Sequence, residues 1–368
     1  VIMLDNRYVD GDSTPIAHHD ADGNGYQWRA LDDGSRHLVL KNFPPADEEP
    51  TPNLQAEWLN AGGGNSLLLF RNRDLAKQFT RALSTMLFEK AVGVNLVVVH
   101  EDIQPGDSLA EKVDTVIKAV NRKKRNRFYS APLLGLGVTA TCQFTGLPAS
   151  TEYPDEDNSK NLIRISQEIA CKRAWVPEAQ SRLRTMLSSE LGNDYELLLD
   201  FDQLGMKGES SYMGVVHIDG NVMGKRVKQI ADDHAEAKQN RDYINALRAF
   251  SASIENASQS ALKQAVLLLR AKIDEMKNDP ERRGALRCKD DKVVLPFRPI
   301  VYGGDDITVV CDGRFALSLA HHYMQALEGK MLYDKAPLYV RGGVAVVKTH
   351  YPFSRAYETA EELAKSAK

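Results

Sequence analysis

The segment Val301-Tyr302-Gly303-Gly304-Asp305-Asp306-Ile307-Thr308-Val309-Val310 is two short apolar runs joined by Gly-Gly-Asp-Asp. The glycines permit a tight hairpin and leave backbone open to a ligand. Neighbouring aspartates repel one another at such a tip unless a divalent cation or solvent screens them; taken alone, the segment is also that of a common surface turn. A second acidic strand end, His217-Ile218-Asp219-Gly220-Asn221, shifts the balance, because it leads through Met223-Gly224-Lys225 into a helix. A carboxylate and backbone amides at that place can meet a phosphate. In a βαββ unit the first strand lies beside the hairpin, so Asp219 is expected near Asp305 although 86 positions separate them. Two or three carboxylates would then converge. Such hard oxygen donors suit Mg²⁺ or Mn²⁺ better than zinc, and a pair of these ions would activate a ribose hydroxyl and neutralise a leaving pyrophosphate.

The elements that must position these residues are legible as two similar successions. In the C-terminal part the pattern gives a strand over Tyr212 to Asp219, helices from about Arg226 to Met276, and a hairpin over Pro299 to Cys311. A helix over Arg314 to Leu327, a strand over Leu338 to Val347 and a helix over Ser354 to Lys368 follow. The N-terminal part begins like a strand, passes through polar turns and an acidic loop to Pro52, and reaches Gly62-Gly63-Gly64-Asn65 before Ser66 to Phe70. A helix over Asp74 to Lys90, a strand over Val94 to His100, a helix from Ser108 to about Val120 and a β-like stretch over Leu133 to Cys142 complete it. Between them, 143–208 reads as helical and charged, with apolar spacing over Ile163 to Trp175 and Pro177 to Leu191. The expected architecture is α+β: a ferredoxin-like palm over 1–142, a helical connector over 143–208 and a second palm over 209–368.

Composition narrows the class. The chain has 368 residues, 47 basic and 50 acidic side chains, a net charge of −3 and a hydrophobic content of 43%. That excludes disordered and collagen-like classes and argues against a generic nucleic-acid coat. No apolar run approaches the ~20 residues of a membrane span, and four scattered cysteines read as reduced thiols, so a cytoplasmic protein without membrane contact is expected. Other clusters carry less. His18-His19-Asp20 lies among turn residues, and Asp20 to Gly25 copies half of an EF-hand loop but has Leu31 where a bidentate Glu is needed. Asn121 to Arg127 holds five positive charges at a helix end, a contact for an RNA backbone or a partner, or a solvated terminus satisfying its own carbonyls.

Ile218-Asp219-Gly220-Asn221-x-Met223-Gly224-Lys225, Gly303-Gly304-Asp305-Asp306, and the tail from Arg341-Gly342-Gly343 through Tyr351-Pro352-Phe353 to Ala364-Lys365-Ser366-Ala367-Lys368 resemble the large palm-domain subunit of type III CRISPR effector complexes. This is the CRISPR polymerase/cyclase or "Cas ten" family. The chain is similar, more distantly, to diguanylate cyclases, whose last helix carries an Ala-Lys pair that touches the triphosphate; Lys368 falls on that lysine. The resemblance implies an Mg²⁺- or Mn²⁺-dependent nucleotidyltransferase making cyclic oligoadenylate from ATP in antiviral defence, inside a ribonucleoprotein whose other subunits hold guide and target RNA. It further implies that Asp219 and Asp305 hold metal with Asp306 assisting. Gly303 and Gly304 would admit a nucleotide, while Gly220, Asn221, Gly224, Lys225 and Lys368 would meet phosphates. The first palm, with no acidic pair at Gly62 to Ser66, is expected to be silent. Cys142-Gln143-Phe144-Thr145 is reminiscent of a zinc ribbon but has Thr145 where a cysteine is needed, and Asn221 stands where the family often has a second acid. A freestanding cyclase making a cyclic dinucleotide or adenylated conjugate, or a non-catalytic RNA-complex scaffold, are the alternatives.

Overall fold

The computed structural model describes residues 2–5, 56–62, 64–126, 138–155, 161–201, 204, 211–279, 286–289 and 291–367. The readings made for His18-His19-Asp20, Asp20 to Gly25, most of Val1 to Pro52, Leu133 to Gly137 and Lys368 fall outside those residues. The chain divides into two compact units, one of 1–59, 64–183 and 236–241, the other of 60–63, 184–235 and 242–368. The division passes through the expected connector, at 183/184.

In the first unit, β1 (Ile2–Asp5), β2 (Ala56–Gly62), β3 (Asn65–Phe70) and β4 (Val97–His100) form a sheet of order β2-β3-β1-β4. Asn72 starts α1 (Arg73–Lys90) by accepting the Leu75 N–H at 2.9 Å. Helix α2 (Leu109–Arg125) buries Leu109, Val113, Val116 and Val120, the three-to-four spacing of one helix face. Its basic last turn is partly engaged at home, since Lys123 donates to the Val98 carbonyl at 2.9 Å. On β2 the fully buried Glu57 pairs with Arg241 at 2.5 Å. A hairpin of β5 (Thr151–Pro154) and β6 (Leu162–Ile165) precedes α3 (Gln167–Ala174) and α4 (Val176–Met186). The sequence reading put Ile163 into a helix. Instead Ile163 and Ile165 are buried and Leu162 and Arg164 exposed, a period of two that makes a strand. Cys142, Ile163, Ile165, Ile169 and Ala170 cluster there. Burial would push the Cys142 thiol up, yet hydrogen bonds from the Thr145 side chain and the Ser166, Phe144 and Thr145 backbone bring it down to about 6.

The second unit contains α5 (Ser188–Leu191), β7 (Tyr195–Leu197), β8 (Tyr212–Gly220), α6 (Met223–Asp233) and, after a 3₁₀ turn (Ala237–Gln239) that belongs with the first unit, nearly all of α7 (Asn240–Asn278). Then come β9 (Cys288–Lys289), β10 (Lys292–Leu295), β11 (Phe297–Gly303), β12 (Asp306–Asp312), α8 (Ala316–Leu327), β13 (Val340–Lys348) and α9 (Phe353–Ser366). A small sheet, β7-β10-β9, was not foreseen. The main sheet has the order β11-β12-β8-β13, antiparallel at every step, so the hairpin and β13 flank β8 as the βαββ reading requires. Among the described residues no helix is long and apolar enough to cross a membrane.

Candidate active site

Alternation along the strands decides what faces the site. On β8, Met213 and Val215 enter a core with Val310 of β12, Ala345 of β13 and Ala356 and Ala360 of α9. Continuing by twos on the same face gives His217 and Asp219 on β8, Thr308 and Asp306 on β12, and Gly343 and Arg341 on β13. Helix α9 lies close over this face because Ala356, Ala360 and Ala364 are its buried stripe and Gly343 offers no side chain; a methyl at 343 would overlap the Ala360 carbonyl. One position along, Tyr357, Glu361 and Lys365 recur every fourth residue and border the space that remains.

That space is a cleft of about 160 Å³ lined by His217, Asp219, Asp306, Arg341, Tyr357, Glu361, Ala364 and Lys365. Arg341, directly opposite Asp219 in register, forms an ion pair with it. Lys365 pairs with Glu361 at 2.9 Å. His217 Nδ1 lies 3.1 Å from Thr308 Oγ1 and 3.4 Å from Asp306 Oδ1, and its ring stands edge-on to Tyr357 at 5.5 Å. Burial is the chief influence on His217 and lowers its pKa, so near neutral pH the ring is uncharged and its contact with Asp306 is not an ion pair.

Asp305 points elsewhere. The Gly220 N–H donates to the Asp305 carbonyl at 3.1 Å, and a Cβ at 220 would come within 2.6 Å of Asp305 Cβ, so glycine is required for the strand end to touch the turn. Gly304 adopts φ +63, and its carbonyl accepts from Ser258 Oγ at 2.6 Å. Burial, with the charge of Asp219 adding to it, holds the Asp305 carboxyl above the ordinary carboxylate range. The Asn221 N–H donates to the Tyr339 carbonyl at 2.8 Å, and Gly224 and Lys225 lie exposed in the first turn of α6. Val222 enters that helix at φ 57, a left-handed conformation unusual for a β-branched residue.

The structure therefore brings Asp219 and Asp306 into one cleft, sets Asp305 behind Gly220, and keeps Gly303, Gly304, Gly220 and Asn221 at the same end of the sheet. Arg341, His217, Tyr357, Glu361 and Lys365 were given no site role in the sequence reading. A signal existed for Lys365, because Ala364-Lys365 is itself an Ala-Lys pair. Among the described residues no three His, Cys, Asp or Glu side chains are grouped to hold a metal ion. The donor chemistry nevertheless fits a hard divalent cation: two carboxylates, Asp219 and Asp306, line one cleft from adjacent strands.

Residues 212–368 match the family model described as Cas10/Cmr2, second palm domain. No curated protein matches the chain. Solved structures with a similar chain path include a Csm1-Csm4 cassette in complex with AMPPNP, at 14% identity and a TM-score of 0.45, covering 84% of this chain and 45% of that one. The cassette in complex with cA4 gives 13%, 0.44, 84% and 45%. Csm1 of T. onnurineus gives 13%, 0.43, 84% and 44%. The chain thus spans less than half the length of these proteins. The family read from Ile218 to Lys225 and Gly303 to Asp306 is thus the one whose model, the Cas10/Cmr2 second palm domain, matches residues 212–368.

Proposed function

We propose that this chain is a nucleotidyltransferase that joins ATP through 3′–5′ phosphodiester bonds, releases pyrophosphate and yields cyclic oligoadenylates in type III CRISPR defence. The observation that carries this reading is the match to the Cas10/Cmr2 second palm domain over 212–368, where strand-end Asp219 and hairpin Asp306 line one cleft. Synthesis is switched on by target RNA held, with guide RNA, by partner subunits of a ribonucleoprotein.

Asp219 and Asp306 would hold Mg²⁺ or Mn²⁺, with Asp305 supporting from behind Gly220. This gives Asp306 the place first expected for Asp305. The bound metal would lower the pKa of the attacking ribose hydroxyl and offset charge on the leaving pyrophosphate. Lys365, at the cleft, and Lys225, at the mouth of α6, balance phosphate charge together with the first amides of that helix, and Lys368 is assigned the same task by the resemblance. Gly303 and Gly304 let the nucleotide approach the hairpin backbone. The first sheet, whose strand order repeats that of the second, is a palm without turnover that supplies the acceptor nucleotide site, and 143–208 connects the two.

The test is incubation of the purified chain with Mg²⁺ or Mn²⁺ and each labelled triphosphate, alone and in a reconstituted RNA complex, with products resolved by mass spectrometry. Oligoadenylate that disappears in Asp305→Ala/Asp306→Ala supports the reading. Nucleotide bound without any product under every activator would replace it with a scaffold role.

A further inference from the structure

We propose that Arg341 is a displaceable counter-ion to Asp219, giving up that carboxylate to a divalent cation and turning to the nucleotide's phosphates. The proposal deepens the nucleotidyltransferase reading and rests on it.

Three observations carry it. The first is a row of charge across adjacent strands. Ile307 pairs with Ile218, so one step further Asp306 stands beside Asp219, and Asp219 pairs in register with Arg341. Like charges directly opposed on neighbouring strands destabilise a sheet, and Arg341 is the cation that closes this row. The second is the state of the guanidinium itself. It bonds Asp219 through Nη2, its side chain is only 16% exposed, and its Nε is buried without a hydrogen-bond partner. A buried N–H without an acceptor is unfavourable, so the group gains when an anion offers more oxygens than one carboxylate supplies. Phosphate does so, and arginine binds it through its planar fork. The third is the matching row of the first sheet. There Asp5 pairs with Asn65 and with Val97, in the same register on a sheet of the same strand order. Where the second carboxylate is absent, the cation is absent too. Arg341 thus follows the acid pair and not the general needs of the fold.

Metal and guanidinium compete for one carboxylate, which predicts opposite effects on two ligands. The experiment measures Mn²⁺ binding to the nucleotide-free full chain by electron paramagnetic resonance, then inorganic pyrophosphate binding at saturating Mn²⁺ by calorimetry. The proteins compared are wild type, Arg341→Ala, Arg341→Lys and Asp219→Asn. With the competitor gone, Arg341→Ala is expected to bind Mn²⁺ at least about 5-fold tighter, the lower end of ordinary coupling between ligands. Pyrophosphate should bind about 10-fold more weakly to the same variant, with Arg341→Lys between it and wild type. A merely structural role would weaken both together. Should Arg341→Ala not fold, Arg341→Gln carries the same comparison. Mn²⁺ affinity unchanged or weakened on losing Arg341, in a protein whose Mn²⁺ site is lost in Asp219→Asn, overturns the counter-ion proposal alone. No Mn²⁺ binding by any of the four overturns the metal reading beneath it as well.

Discussion

In the first unit Asp5 pairs with Asn65 on one side and Val97 on the other; in the second, Asp219 lies next to Asp306 on one side and pairs with Arg341 on the other. The scaffolds agree: β2-β3-β1-β4 and β11-β12-β8-β13 are one order with the strands renumbered. What differs is a single row at the hairpin end. Where the second row has a second carboxylate and a guanidinium, the first has an amide and an apolar side chain. On the proposed reading, one sheet order carries turnover in the second unit and none in the first, and about three side chains make that difference. The first sheet keeps its buried charge elsewhere, in the Glu57–Arg241 pair on β2.

The largest effect should separate the two rows by activity. Asp219→Asn is expected to reduce product formation by about 10²- to 10³-fold, the scale of losing one charge-stabilising group, whereas Asn65→Ala leaves it unchanged. Equal losses in a labelled-ATP assay would mean that the first sheet is not silent. Next comes stability. Glu57→Ala strands the Arg241 guanidinium and should destabilise by about 3–5 kcal/mol in urea unfolding; a change well under 1 kcal/mol would show that the pair does not hold β2. A smaller effect comes from Asn65→Asp, which recreates opposed carboxylates without a counter-ion. It should destabilise by roughly 0.2–1 kcal/mol, and the loss should vanish as the pH falls through the carboxylate range. The smallest is a slope. Because the folded pKa of His217 is depressed, the unfolded chain takes up a proton first. Stability supplied by the neutral ring is therefore complete above about pH 6.5 and declines as the pH falls below it. His217→Gln should flatten thermal stability against pH in that window, and an unchanged slope would point to another titrating group.

Much of the second unit was legible in sequence because its signals are local. Gly303-Gly304-Asp305-Asp306 between two apolar runs gives the hairpin, and the strand from Tyr212 ends within a residue of its expected place. The βαββ order was enough to put Asp219 beside the turn. Which of two adjacent aspartates enters the cleft was not legible. It depends on pleat parity: Asp306 shares a face with Thr308 and Val310, while Asp305 sits in the turn against Gly220. Arg341, Glu361 and Lys365 were missed for a related reason, since strand β13 and helix α9 carry them from distant sequence to one line. The hairpin before α3 escaped because Ile165 and Ile169 satisfy a helical spacing while Ile163 and Ile165 satisfy a strand one. In the first unit the pairing of β1 with both β3 and β4 is a long-range register that no local pattern announces.

Gly343 has a consequence for how such a site tolerates change. With the Ala360 carbonyl resting on bare sheet, helix α9 is seated backbone against backbone. It has no rotamer to adjust for a closer approach, and retreat would uncover three alanines. The gap beneath it behaves as a fixed gauge, machined by the main chain and not upholstered by side chains. Change in the lining is left to the Tyr357, Glu361 and Lys365 margin, which does not seat the helix.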